Sequence, residues 1–88
     1  MSTPQLTPDL CRAARALLKW SQRDLAFRAR VTQQTVTHFE QGKRTLYDRT
    51  IRDMRDALEE GGVEFLGETR THGSGVRYKT PSSNGGAE

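Results

Sequence analysis

The sequence predicts a mainly α fold: four or five short helices followed by a short C-terminal β-hairpin or strand pair. Three observations predict it. Apolar residues recur at helical spacing between Leu10 and Leu58. Capping residues and glycines punctuate that stretch at short intervals. After Gly61-Gly62 the pattern changes to alternation, as half-buried strands require.

Residues 1–6 are short and polar and are expected to fray. Thr7-Pro8 reads as a cap followed by proline at the first helical position. Helix 1 then runs to about Lys19, with Cys11, Ala14 and Leu18 on one stripe, joined by Leu10 and Leu17. Helix 2 covers about residues 22–29 and buries Leu25, Ala26 and Ala29. Its cap is Ser21, whose hydroxyl suits the Asp24 amide, while the Asp24 carboxylate suits the positive helix end. Helix 3, about residues 33–41, opens at Thr32 in the same manner and buries Val36 and Phe39. Trp20 with Leu25, and Val31 with Val36, have the spacing of hydrophobic staples. Gly42 closes helix 3. Residues 43–47 read as a loop. Helix 4 runs from about Asp48 to Glu60, with Ile51, Met54 and Leu58 on one face.

Val63-Glu64-Phe65 and Val76-Arg77-Tyr78-Lys79 alternate in polarity, and residues 67–75 between them are rich in Gly, Thr and Ser. A lone two-stranded hairpin is marginal in water, so this pair must pack on the helices or pair with another chain. Residues 81–88 hold no apolar anchor and are expected to be disordered. The organisation expected is a helical unit over 1–62, a strand extension over 63–80 and a tail over 81–88.

A chain of 88 residues allows one domain, and an apolar share of 33% makes its core marginal. Association with a second copy would add stability. No apolar run is long enough to span a bilayer, and no leader follows Met1. The single cysteine, Cys11, forms no internal disulfide, which points to the cytoplasm. Charge is uneven: residues 1–58 carry 11 basic against 6 acidic residues, and residues 59–88 carry 3 against 5. The positive excess therefore lies on the helices, as a polyanion-binding face requires.

With Val36 and Phe39 inward, helix 3 leaves Gln33, Gln34, Thr37 and His38 on its outer side or at its amino-terminal end. A helix in the major groove meets base edges with its first residues. Glutamine suits that place, because one amide can pair with both N7 and the amino group of adenine. Adjacent glutamines are also ordinary solvated residues. Here two successive caps, the inward pair and the basic flank decide for base reading. Nothing suggests an enzyme: no nucleophile elbow or paired carboxylates appear. Cys11, His38 and His72 have no metal-ligand spacing, so neither metal nor cofactor is expected. Cys11 sits on an apolar face and reads as core. No aromatic stacking pair supports single-strand RNA binding.

Arg15, the SQRDLA run (Ser21 to Ala26), Val31-Thr32-Gln33-Gln34-Thr35-Val36 and Glu40-Gln41-Gly42-Lys43 together resemble the helix-turn-helix domain of the lambdoid phage repressor and Cro family, the Xre-type regulators. The resemblance covers residues 10–58, and more weakly GVEFLGE and GVRYK beyond. It implies a phage-repressor-like DNA-binding domain. It implies base contacts from Gln33 and Gln34, with His38 one turn later and Thr37 beside them. It implies phosphate contacts from Gln22, Thr32, Thr35, Arg23, Lys43 and Arg44, with Arg28 and Arg30 as further candidates. Arg15 and Glu40 match an ion pair tying helix 1 to helix 3. Arg30 stands where the family usually has glycine, so either it takes a positive φ or the turn differs. Phe27 replaces a usual polar residue; it reads either as core or as an exposed contact for a partner, with a contact to the C-terminal strands favoured.

The functional expectation is a cytoplasmic, nucleoid-associated repressor that binds a palindromic double-stranded operator as a homodimer, without a cofactor. Dimerisation is expected through Val63, Phe65, Val76 and Tyr78, with helix 4 and the loop 43–47 as the other choice. The alternative function is an antitoxin- or antiactivator-type module whose C-terminal strands bind another protein.

Overall fold

In the computed structural model, which describes residues 6–43 and 46–81, four helices precede one two-stranded antiparallel sheet. α1 (Pro8–Leu18) starts where the Thr7 hydroxyl accepts from the Leu10 amide at 3.2 Å. It ends at Lys19, in the left-handed region with φ 60°. α2 (Gln22–Ala29) starts with a reciprocal cap: the Asp24 amide donates to Ser21 Oγ at 3.0 Å, and the Ser21 amide donates to Asp24 Oδ2 at 2.9 Å. The Ser21 amide, helped by its hydroxyl, holds the Asp24 carboxyl below its ordinary range. α3 (Gln33–Glu40) repeats the device at Thr32, which accepts from the Thr35 amide at 3.1 Å. Gly42, with φ 71°, closes it. α4 (Asp48–Gly61) ends at Gly62, with φ 126°.

Arg30 takes the left-handed conformation itself, with φ 62°, so the turn into α3 keeps a shape that favours glycine. Its amide and that of Val31 close α2 on the carbonyls of Phe27 and Ala26, at 3.3 and 3.0 Å. The left-handed conformation costs a non-glycine residue about 1–2 kcal/mol. Glycine returns part of that gain through its freer unfolded chain, about 0.5–1 kcal/mol. Arg30→Gly is therefore expected to stabilise the fold by about 0.5–1 kcal/mol, read as a rise of a few degrees in the thermal midpoint.

The core contains residues from every helix and from β1 (Val63–Leu66). Its largest fully buried side chains are Leu25, Met54, Leu58, Val36, Val63 and Cys11. Leu6 is 2% exposed and belongs to that core, so order begins at least there, within the segment expected to fray. Residues 1–5 and 82–88 lie outside the described residues. Phe27 is 84% exposed. The contact expected between it and the strands is therefore not made, because α2 turns that position outward.

β1 pairs with β2 (Gly75–Tyr78) in the register Val63↔Tyr78 and Phe65↔Val76. Opposed residues share a face, so these four stand together. Val63 and Phe65 are buried in the helical core, Val76 packs against it, and the Tyr78 hydroxyl donates to the Leu17 carbonyl at 2.8 Å. The sheet thus turns its apolar face on its own helices. Its outer face carries the cross-strand Arg77–Glu64 ion pair at 2.7 Å. The connecting loop is ordered by Thr69, whose amide donates to the His72 carbonyl at 2.8 Å and whose hydroxyl accepts from the His72 amide at 3.0 Å.

The end of α4 meets the α1–α2 junction at Gly61. A Cβ there would lie 2.6 Å from the Trp20 ring and 3.0 Å from Leu18. The Trp20 ring is itself covered by the Arg28 guanidinium, 4.6 Å from its centroid. Alanine in place of a helical glycine ordinarily stabilises by about 0.5–1 kcal/mol. Gly61→Ala should show the reverse sign, a loss of about 1–3 kcal/mol in chemical denaturation, because the ring has to move.

Candidate nucleic-acid interface

The first turns of α2 and α3 converge. Arg15, Ser21, Gln22, Arg23 and Gln33 line one shallow concavity of about 610 Å³ on this side of the molecule. Gln22, the first residue of α2, reaches across to Thr37 and Glu40 in the second half of α3. Gln33 and Gln34 are exposed at the first two positions of α3, and Arg23 is exposed at the second of α2. Thr37 and His38, one turn on, are partly exposed. Lys43, just past α3, is exposed, and its amide donates to the His38 carbonyl at 3.1 Å. Arg44 lies outside the described residues.

A buried polar network stands behind this surface. Arg15 grips the Glu40 carboxylate with two hydrogen bonds of 2.7 Å, from Nε to Oε2 and from Nη2 to Oε1. Its third donor, Nη1, reaches the Trp20 carbonyl at 3.0 Å. Glu40 also accepts from Cys11 Sγ at 3.0 Å and from Gln22 Nε2 at 3.1 Å. Gln22 Oε1 in turn accepts from the Thr37 hydroxyl at 2.7 Å. Arg12 donates to the Glu40 backbone carbonyl and pairs with Asp9.

Burial pushes the Glu40 carboxyl upward, but the hydrogen bonds from Arg15, Cys11 and Gln22 outweigh it and hold the group below its ordinary value. Arg15 is raised by the same bond. Burial, followed by the bond to Glu40, drives the Cys11 thiol far up, so it remains a neutral donor. The network therefore joins α1, α2 and α3 through one ionised carboxylate.

The structure sorts the sequence-derived candidates. Gln22, Arg23 and Gln33 share one concavity, with Gln34 next to Gln33. The hydroxyls of Thr32 and Thr35 meet each other at 2.9 Å within the cap of α3. Gln22 is largely spent internally: its carbonyl oxygen and one amide hydrogen are engaged, leaving one hydrogen to donate outward. Arg28 and Arg30 lie at the opposite end of α2, in a groove shared with Arg49, Asp53, Asp56 and Glu60 of α4. Sequence reasoning missed Cys11, Arg12 and the Gln22–Thr37 bond. These partners are 15 to 29 residues apart in the chain, and no local spacing signals them.

Among the described residues no cluster of His, Cys, Asp and Glu suits a metal ion, and no helix is long and apolar enough to cross a membrane. A family model described as helix-turn-helix matches residues 12–65, more than half of the chain. No curated protein matches it.

Proposed function

Because the chain belongs to the Cro/C1-type, Xre-like helix-turn-helix family of DNA-binding regulators, we propose that it is a repressor acting as a homodimer on an inverted-repeat operator. The observation that carries this reading is the convergence of Gln22, Arg23 and Gln33 at the joined first turns of α2 and α3, with Gln34 exposed alongside. In this reading α3 enters the major groove. Gln33 and Gln34 meet base edges, and His38 and Thr37 follow one turn deeper. Arg23, Lys43 and the free amide hydrogen of Gln22 hold phosphates on either side, with the Thr32 and Thr35 cap as a further contact; Arg44, the remaining phosphate candidate, lies outside the described residues. Repression follows from occupying a promoter.

One α3 of eight residues offers few base contacts. Two of them, one DNA turn apart (roughly 34 Å), supply useful specificity. Val63 and Phe65 are committed to the chain's own core and Val76 packs on it, so a strand-mediated dimer uses the backbone edges of the two-stranded sheet together with the ring of Tyr78, which is 50% exposed although its hydroxyl is held by the Leu17 carbonyl. Val63 and Phe65 are core residues, so removing residues 63–88 removes part of the core. Tyr47, 87% exposed at the start of α4, marks the competing surface beside the loop 43–47.

Protection mapping on the DNA flanking the chain's own gene, over a salt series, tests the function. A symmetric footprint with two protected half-sites and a steep loss of affinity with salt is expected; uniform, unprotected DNA overturns it. Tyr47→Ser tests the interface by sedimentation. Tyr47 caps α4 without a side-chain hydrogen bond, so serine should also stabilise by about 1 kcal/mol. A dimer unchanged by this substitution supports the strand edges, whereas dissociation moves the interface to Tyr47.

A further inference from the structure

We infer that Thr37 is a specificity-determining residue of fixed polarity: it accepts from, and so selects, the exocyclic amino group of cytosine or adenine in the major groove. The inference rests on the DNA-reading assignment of α3 and deepens it.

The argument begins at Glu40. An ionised carboxylate can only accept hydrogen bonds. Its two oxygens take four donors, from Arg15 Nε, Arg15 Nη2, Cys11 Sγ and Gln22 Nε2. That fixes the Gln22 amide, because only its NH₂ end can face a carboxylate. The Gln22 oxygen is thereby turned to Thr37, 2.7 Å away. An amide oxygen cannot donate, so the single hydroxyl proton of Thr37 lies on this bond. What Thr37 retains for any outside partner is lone pairs alone. A free threonine serves as donor or acceptor and discriminates little; this one has lost its donor.

Thr37 is partly exposed and stands four residues after Gln33, on the same side of α3. In the major groove the donors are the N4 amino group of cytosine and the N6 amino group of adenine. N7, O6 and O4 are acceptors, and all three are repelled by an acceptor-only hydroxyl. The chain of constraint therefore runs from Arg15 in α1, through Glu40 and Gln22, to the hydrogen-bond sense of a side chain on the reading face.

The test uses the full chain and the duplex it enriches from a pool with a randomised core. Each cytosine and adenine of the enriched half-site is replaced in turn by its des-amino analogue, and affinities are compared for wild type, Thr37→Ser and Thr37→Val. At one position per half-site, wild type and Thr37→Ser should lose about tenfold in affinity per contact. Thr37→Val, shown to be folded by circular dichroism, should be insensitive at that position while still losing affinity at the positions read by Gln33 and Gln34. Gln22→Met, which frees the hydroxyl to rotate, should relax the same position with Thr37 still present. If Thr37→Val remains as sensitive as wild type at every position, the inference is overturned and the DNA reading stands. If wild type enriches no duplex, both fall.

Discussion

Arg15→Ala is expected to destabilise the chain by about 3–5 kcal/mol at neutral pH, the penalty for leaving a buried carboxylate without its cation. Glu40 is 4% exposed and carries both of the 2.7 Å bonds from Arg15. A loss of this size takes much of the stability available to a small domain. Urea denaturation at neutral pH measures it, and a loss below about 1 kcal/mol would place the pair among solvated surface bridges. Adding Glu40→Gln to the Arg15→Ala background should recover much of the loss, because it removes the orphaned charge.

The pH dependence has a definite sign. In the wild type the folded Glu40 carboxyl is depressed below its unfolded value of 4.5. Its contribution is then present above that pH and is lost as pH falls through the lower, folded value. In Arg15→Ala the same carboxyl is buried without its main donor, and burial raises it. That variant should recover stability as pH falls from the raised, folded value towards the ordinary value of 4.5. The two curves therefore converge towards acid, and parallel curves would show that Glu40 is not the group affected.

Gln33→Ala and Gln34→Ala should each relax preference at one base pair per half-site, by about 1–3 kcal/mol per contact. On a two-fold operator each loss occurs twice, which makes these the largest effects expected on binding. The non-specific component and its salt slope should stay unchanged. Lys43→Ala should do the opposite, weakening all sequences alike and reducing the salt slope by about one. Competition binding against permuted operators separates the two classes. Glutamine substitutions that act equally on every duplex would remove α3 from the groove.

Much of this was legible from local signals. The bounds of α2 follow from Ser21, Asp24 and the residue after Ala29, since capping is chemistry between neighbours three or four residues apart. The hairpin follows from alternation on both sides of a Gly-rich loop. The family resemblance reached the same helices through the Ser21–Ala26, Val31–Val36 and Glu40–Lys43 runs and agrees with the match over residues 12–65. The strand contact favoured for Phe27 and the fraying expected at Leu6 were misjudged, because a single apolar residue outside a periodic stripe carries no direction until a neighbouring element covers it or fails to.

By itself, then, the sequence determined the four helices, the amino-terminal caps of the first three and the strand pair, all of which depend on residues within a turn or two of each other. The Arg15–Glu40 pair was expected from the family resemblance, and tertiary structure alone decided which other groups join it. Glu40 meets Cys11, Arg15 and Gln22 from two other helices, and its ionised oxygens set the direction of the Gln22 amide and so of the Thr37 proton. It also decided that the apolar side of the strands closes on α1 and α4. Both outcomes depend on how distant segments pack, and hydrogen-bond direction is a property of the partner, which a residue's own position in the chain does not reveal.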